Sequence, residues 1–268
     1  MKAKVGMVRR NMIHFDEDRI VLTAVRDNGQ KTLTFDREQI NIEWLSDEQA
    51  VVSIKKFLKS KKLTHKLWLP VVPLGNILFK TIEIPSINTA EVGQMIGWRL
   101  QTSWDVEKNL VWDYKVVLKE GGRSKVLVVG VDKMNLARYW RILKNSGMRF
   151  EVFSASCFLV EGLIQSKYGP LAKDYAVIWA DDHDYELCVF KGADLIGTKL
   201  FGRDNEDRFL LDQIGLYLRI CESERQISLS EMFVAAPQKD LDALNAFFKN
   251  GLGLPVRPID IERSEAHV

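Results

Sequence analysis

Apolar positions along the chain recur at helical spacing in some stretches and alternate or cluster as strands in others. Helices are expected over 46–61, 88–105, 132–145, 154–164, 204–221 and 239–250. In the first of these Val51, Ile54, Phe57 and Leu58 share one face, with Ser46 at its start. In the third Leu136, Tyr139, Trp140 and Leu143 do so, and Gly147 is the stop signal. Between them, 12–25 reads as one strand that turns at Asp27-Asn28-Gly29 onto a partner at 31–35. Strands are also expected at 67–72, 77–84, 111–117, 125–131 and 150–153. The run 125–131 is nearly all apolar, the mark of a strand buried on both faces. After Tyr168-Gly169-Pro170 the pattern restarts, with a three-strand meander at 175–179, 186–190 and 195–200. The long helix, a strand at 231–235, the last helix and a strand at 254–261 follow. Each half therefore opens with a β-meander and closes with alternating helix and strand. This gives an α/β chain with a first half at 1–168, carrying an insertion at about 70–120, and a second half at 169–268.

The most informative stretch is 84–117. Asn88 followed by Glu91 resembles a capping box. Val92, Met95, Ile96 and Leu100 then make one helix face, while Trp98 and Arg99 point elsewhere and Trp104 and Asp105 close the helix. Val111, Trp112, Asp113 and Tyr114 begin a half-buried strand. Aromatic and Arg side chains beside a strand edge suit a peptide-binding surface. The same tryptophans also fit the core of a small α+β subdomain.

Composition narrows the function. The chain has 268 residues and a formal net charge of +2, so nothing in its overall charge demands nucleic acid or anionic lipid. No apolar run is long enough for a transmembrane helix, and the basic start MKAKVGMVRRNMIHF lacks the apolar core of a secretory signal. Cys157, Cys188 and Cys221 show no metal or redox spacing, and no metal is expected. Lys55, Lys56, Lys59, Lys61 and Lys62 read as a solvated helix face, because no aromatic residues interleave them for stacking on bases. The alternative is a membrane or nucleic-acid contact through that run. Asp181, Asp182, His183 and Asp184 hold metal-ligand types, but consecutive residues on a turn seldom converge on one ion, so a solvated β-turn is the simpler reading. His14, His65, His183 and His267 are scattered without a nucleophile motif.

The two-half plan with its insertion resembles the actin-like ATPase (ribonuclease H-like) fold. IEIP…INTAEVGQMIGWRLQTSWDVEKNLVWDYKVV and KVLVVGVDKMNLARYWRILKNSGMRFEVFSASCFLVEGLI are similar to two consecutive blocks of the PilM-like proteins of type IV pilus assembly. Those are related to the cytoplasmic part of GspL-like type II secretion proteins. The resemblance spans roughly 13–261.

The departures bear on function. Where the family has a glycine- and serine-bearing phosphate loop, this chain has Phe15-Asp16-Glu17-Asp18, and three carboxylates would repel a triphosphate. The second loop corresponds to Ala180-Asp181-Asp182-His183-Asp184, without glycine, and the nucleoside loop to Ala235-Ala236-Pro237-Gln238, where proline removes a donor. The subdomain expected before the long helix is also missing. The resemblance therefore implies a non-catalytic scaffold without a cofactor. It would lie at the inner membrane in the cytoplasm and bind the tail of a PilN-like membrane protein, with the assembly motor ATPase as a further contact. Leu78, Phe79, Trp98, Arg99, Trp104 and Tyr114 are the candidate contacts. The alternative is an active ATPase of the same machinery, in which Asp16 and Asp181 or Asp182 hold a metal.

Overall fold

The computed structural model describes residues 11–15, 19–27, 33–42, 46–85, 89–103, 109–120, 122–180, 184–203 and 207–260. The chain begins with an antiparallel meander, β1 (Asn11–Phe15), β2 (Arg19–Asp27) and β3 (Leu33–Asn41). The single strand expected over 12–25 is thus two. Phe15 pairs antiparallel with Ile20, and the acids Asp16, Glu17 and Asp18 lie outside the described residues. On one face Ile13, Phe15, Ile20 and Leu22 are fully buried.

Helix α1 (Asp47–Ser60) follows. Its start is a full capping box: the Gln49 N–H donates to Ser46 Oγ, and the Ser46 N–H donates to Gln49 Oε1 at 2.9 Å. The next strand, β4 (Leu67–Val72), lies parallel to β1 and takes Phe57 of α1 edge-on against Trp68. After a short 3-10 turn come β5 (Ile77–Pro85), α2 (Thr89–Ser103), β6 (Leu110–Glu120), β7 (Arg123–Asp132) and α3 (Lys133–Asn145). Then β8 (Arg149–Phe150) and β9 (Ser154–Ala155) pair parallel with β4. The continuous strand expected at 150–153 is broken here, because only its edges reach β4. The first sheet has the order β3-β2-β1-β4-β8, with β9 also on β4.

Helix α4 (Ser156–Tyr168) leads to β10 (Asp174–Ala180), β11 (Asp184–Lys191), β12 (Asp194–Gly202), α5 (Asp207–Arg225), β13 (Leu229–Ala236), α6 (Gln238–Leu252) and β14 (Val256–Asp260). The second sheet has the order β12-β11-β10-β13-β14. Its first three strands are antiparallel, and β13 and β14 join in parallel. The two sheets thus share one topology, with a meander followed by parallel strands reached through helices. The repeat anticipated from the hydrophobic pattern is real at the level of strand order.

Helices α5 and α6 cover one face of the second sheet, over Ile178, Leu187 and Val234, with Phe248 of α6 fully buried among them. Gly197 of β12 lets α5 approach: a Cβ there would sit 2.9 Å from Tyr217 Oη, which itself donates to the Thr198 carbonyl at 2.9 Å. The opposite face carries Tyr175 stacked on Phe190 and edge-on to Phe233, with Tyr168 of α4 beside Phe233. Leu159 of α4 packs with Leu69 and Val71 of the first sheet.

By internal contacts the chain forms two compact units. One is Gly75–Arg141; the other is built from the chain on either side of it, through Leu74 and from Ile142.

Candidate partner-binding surface

The unit Gly75–Arg141 is a three-stranded antiparallel sheet of order β5-β7-β6 with α2 on one face. The sheet follows from sequence in a simple way. Glu120 pairs with Arg123, so β6 turns tightly into β7, and Gly122 in that turn has φ +73°, a region glycine enters without strain. The apolar run in β7 makes it the central strand, with Val126 and Val128 fully buried.

Helix α2 seats on that sheet through Val92 and Ile96, with Met95 and Leu100 partly buried beside them, as its spacing indicated. Asn88, expected as its cap, lies outside the described residues. Gly97 stands over β6, where an added Cβ would meet Trp112 at 3.7 Å. Trp112 and Tyr114 are half-buried members of the same core, with ring centroids 6.4 Å apart.

The candidate contact residues among the described ones do not form one patch. Trp98 projects away from the sheet and is 61% exposed. Arg99 is exposed on the flank of α2 that lies over β5. Tyr114 faces the underside of α2, and so does Leu78, which stands in register with Gly130 and Trp112. Phe79 pairs with Val129 and therefore lies on the opposite face, since adjacent strand residues alternate. Trp104 lies outside the described residues. Trp98 and Arg99 remain as the pair that leaves the core.

Beside Arg99 is a cleft of about 630 Å³ that sequence reasoning missed. Ile82, Ile84 and Pro85 supply its apolar lining, and Lys80, Arg99 and Arg123 supply cationic groups against a single carboxylate, Glu83. Glu83 and Arg123 pair at 3.7 Å with both side chains well exposed, so the pair adds little stability. The cleft was not legible because only the β5–β7 register places Arg123 beside Pro85, at the end of the strand that carries Lys80, Ile82 and Ile84. Strand β5 is an edge of its sheet. An edge strand beside an apolar and cationic cleft can take an extended peptide carrying a carboxylate.

The residues weighed for nucleotide or metal chemistry fall differently. Asp16, Asp18, Asp181, Asp182 and His183 lie outside the described residues. Asp184 opens β11 opposite Gly202. Ala235 and Ala236 are fully buried strand residues, paired with Ile259 and Asp260 of β14 rather than held in a loop. A single residue, Pro237, joins β13 to α6. Among the described residues no group of three His, Cys, Asp or Glu is placed to hold a metal ion. Lys55, Lys56 and Lys59 lie on the exposed side of α1. No helix among the described residues is long and apolar enough to cross a membrane.

No family model matches the chain, and no curated protein matches it. Solved structures do match. A chain of the "PilM-PilN type IV pilus biogenesis complex" superposes with TM-score 0.74 at 13% identity, over 94% of this chain and 88% of that one. The cytoplasmic domain of EpsL, an inner membrane component of the type II secretion system of Vibrio cholerae, gives TM-score 0.57 at 10% identity, covering 94% and 86%. A Bacteroides thetaiotaomicron protein with an actin-like ATPase fold gives 0.51 at 12%, covering 98% and 95%. The chain therefore has the actin-like ATPase fold. Within that class its architecture is PilM-like.

Proposed function

We propose that the chain is a non-catalytic scaffold in the inner-membrane assembly platform of a type IV pilus, competence or type II secretion machine. In this reading the chain, with two actin-like halves at 1–168 and 169–268, binds the cytoplasmic tail of a PilN-like membrane protein through Trp98 and Arg99 of α2. That contact keeps it peripheral on the membrane, with the motor ATPase as a further partner. The observation that carries the reading is the PilM-like fold over 94% of the chain, combined with an exposed tryptophan on α2. A Trp standing 61% in solvent on an otherwise well-seated helix is typical of a surface that is covered in the working complex. The β13–α6 junction adds support. Buried alanines and a proline leave no open glycine loop for a nucleoside there.

The test is calorimetry with a synthetic N-terminal tail of the membrane protein encoded beside this one. Binding is expected, and Trp98→Ala and Arg99→Glu should each abolish it with the thermal midpoint nearly unchanged. A tail that does not bind removes the main support. Titration with ATP and magnesium tests the other half of the proposal: a micromolar signal, about −8 kcal/mol, would return the chain to the nucleotide-binding ATPases.

A further inference from the structure

Helix α5 carries two apolar faces. The inner one, Leu210, Ile214, Leu218 and Cys221, is buried on the second sheet. The outer ridge bears Phe209 and Leu216, each 53% exposed, and Ile220, 41% exposed. At 100° per residue, positions 209, 216 and 220 fall within about 40° of one another, so they form one stripe along the solvent side. Lone exposed apolar residues are normal, but three large ones aligned on one helix mark a covered surface.

The charges beside the stripe indicate what covers it. Asp212 and Arg219 are seven residues apart, two turns along the same flank. When two copies of a helix pack antiparallel about a two-fold axis, each flank meets the same flank of its copy. With the axis near Leu216, Asp212 of each copy meets Arg219 of the other. Leu216 then meets its own counterpart, and Phe209 lies within a turn of the other copy's Ile220. A lipid surface would instead require a basic excess. Here Arg208 and Arg219 are balanced by Asp212 and Glu222.

We infer that the outer ridge of α5 is an isologous dimer contact, in which a second copy of this chain packs antiparallel through Phe209, Leu216 and Ile220 and is held in register by Asp212–Arg219 pairs. One helix per side places the contact among small, dissociable interfaces, below about 1,200 Å² in total. Dimerisation should accordingly depend on concentration.

Sedimentation equilibrium on the full chain over a hundredfold range of concentration tests this. The wild type should shift from monomer to dimer, and Leu216→Glu should remain monomeric with an unchanged thermal midpoint. Asp212→Arg and Arg219→Asp should each weaken the dimer at least about tenfold, since each creates like-charge contacts. The double reversal, Asp212→Arg with Arg219→Asp, should restore it. A wild type that stays monomeric throughout overturns the proposal. So does a dimer indifferent to Leu216→Glu, or single reversals that the double variant fails to rescue.

Discussion

The carboxylate of Glu186 accepts a 2.6 Å hydrogen bond from the main-chain N–H of Leu74, 112 positions earlier in the chain. Leu74 follows β4 of the first sheet, and Glu186 sits in β11 of the second at 3% exposure. The contact ties the end of a parallel strand in one half to the meander of the other. Losing the acceptor of a buried backbone N–H strands the donor, which costs more than the bond itself contributes. Glu186→Ala is expected to lower stability by about 2–3 kcal/mol in urea unfolding, and Glu186→Gln by less, because the amide oxygen still accepts. Equal midpoints for wild type and Glu186→Ala would show that the bond contributes nothing.

Gly97 lies in the interior of α2, and an added Cβ would meet Trp112 at an ordinary 3.7 Å. Gly97→Ala should therefore raise stability by about 0.5–1 kcal/mol, through lower unfolded-state entropy and higher helix propensity. A fall in melting temperature would mean that α2 cannot accommodate one methyl group above Trp112.

Gly197 is the opposite case. A Cβ there would press on Tyr217 Oη at 2.9 Å and Cys221 Sγ at 3.1 Å. Gly197→Ala should destabilise by about 1–3 kcal/mol, since α5 must lift off β12 or lose the Tyr217–Thr198 hydrogen bond. Guanidinium unfolding followed by tyrosine and tryptophan fluorescence would measure the loss.

Alkaline pH should weaken the fold. Burial, and then contact with the Cys157 thiol, pushes the Cys188 thiol above its ordinary 9.0. Burial also raises Cys221, and it raises the Tyr175 and Tyr217 hydroxyls above their ordinary 10.0. The native state thus keeps protons that the unfolded chain gives up. Stability is complete below pH 9 and declines as pH rises through 9 and then 10. Urea midpoints measured from pH 7.5 to 10.5 should fall monotonically over that upper range. A flat profile would contradict native-state retention of these protons.

Much of this was legible in the sequence because periodicity and burial are tightly linked. Val92, Ile96 and Leu100 announced the seated face of α2, and Trp98 fell outside it in both readings. Leu67–Val72 was recognisable as a strand because five of its six residues are buried on one side or the other. The failures share a cause, which is dependence on register. The reversal between Phe15 and Ile20 preserves an apolar alternation that looks like one long strand. Leu78 and Phe79 looked like joint contributors to a groove, yet neighbours in a strand face opposite ways. Arg123 comes to line one cleft with Ile84 and Pro85 only after β5 and β7 have paired.

The placement of Gly75–Arg141 between β4 and its parallel partners has a consequence for how the chain acquires its structure. During synthesis β4 emerges with β1 already available on one edge, but β8 and β9 follow only after the whole intervening unit. That unit closes through one local hairpin, β6–β7, and a β5–β7 ladder that spans only α2 and β6, so it can form early. The first sheet must hold an open strand edge meanwhile, and its final pairing waits on a long loop closure. Refolding from denaturant should then show a fast phase for the inserted unit and a slower one for the first sheet. The interval between them is when the exposed edge of β4 makes the chain most prone to aggregate.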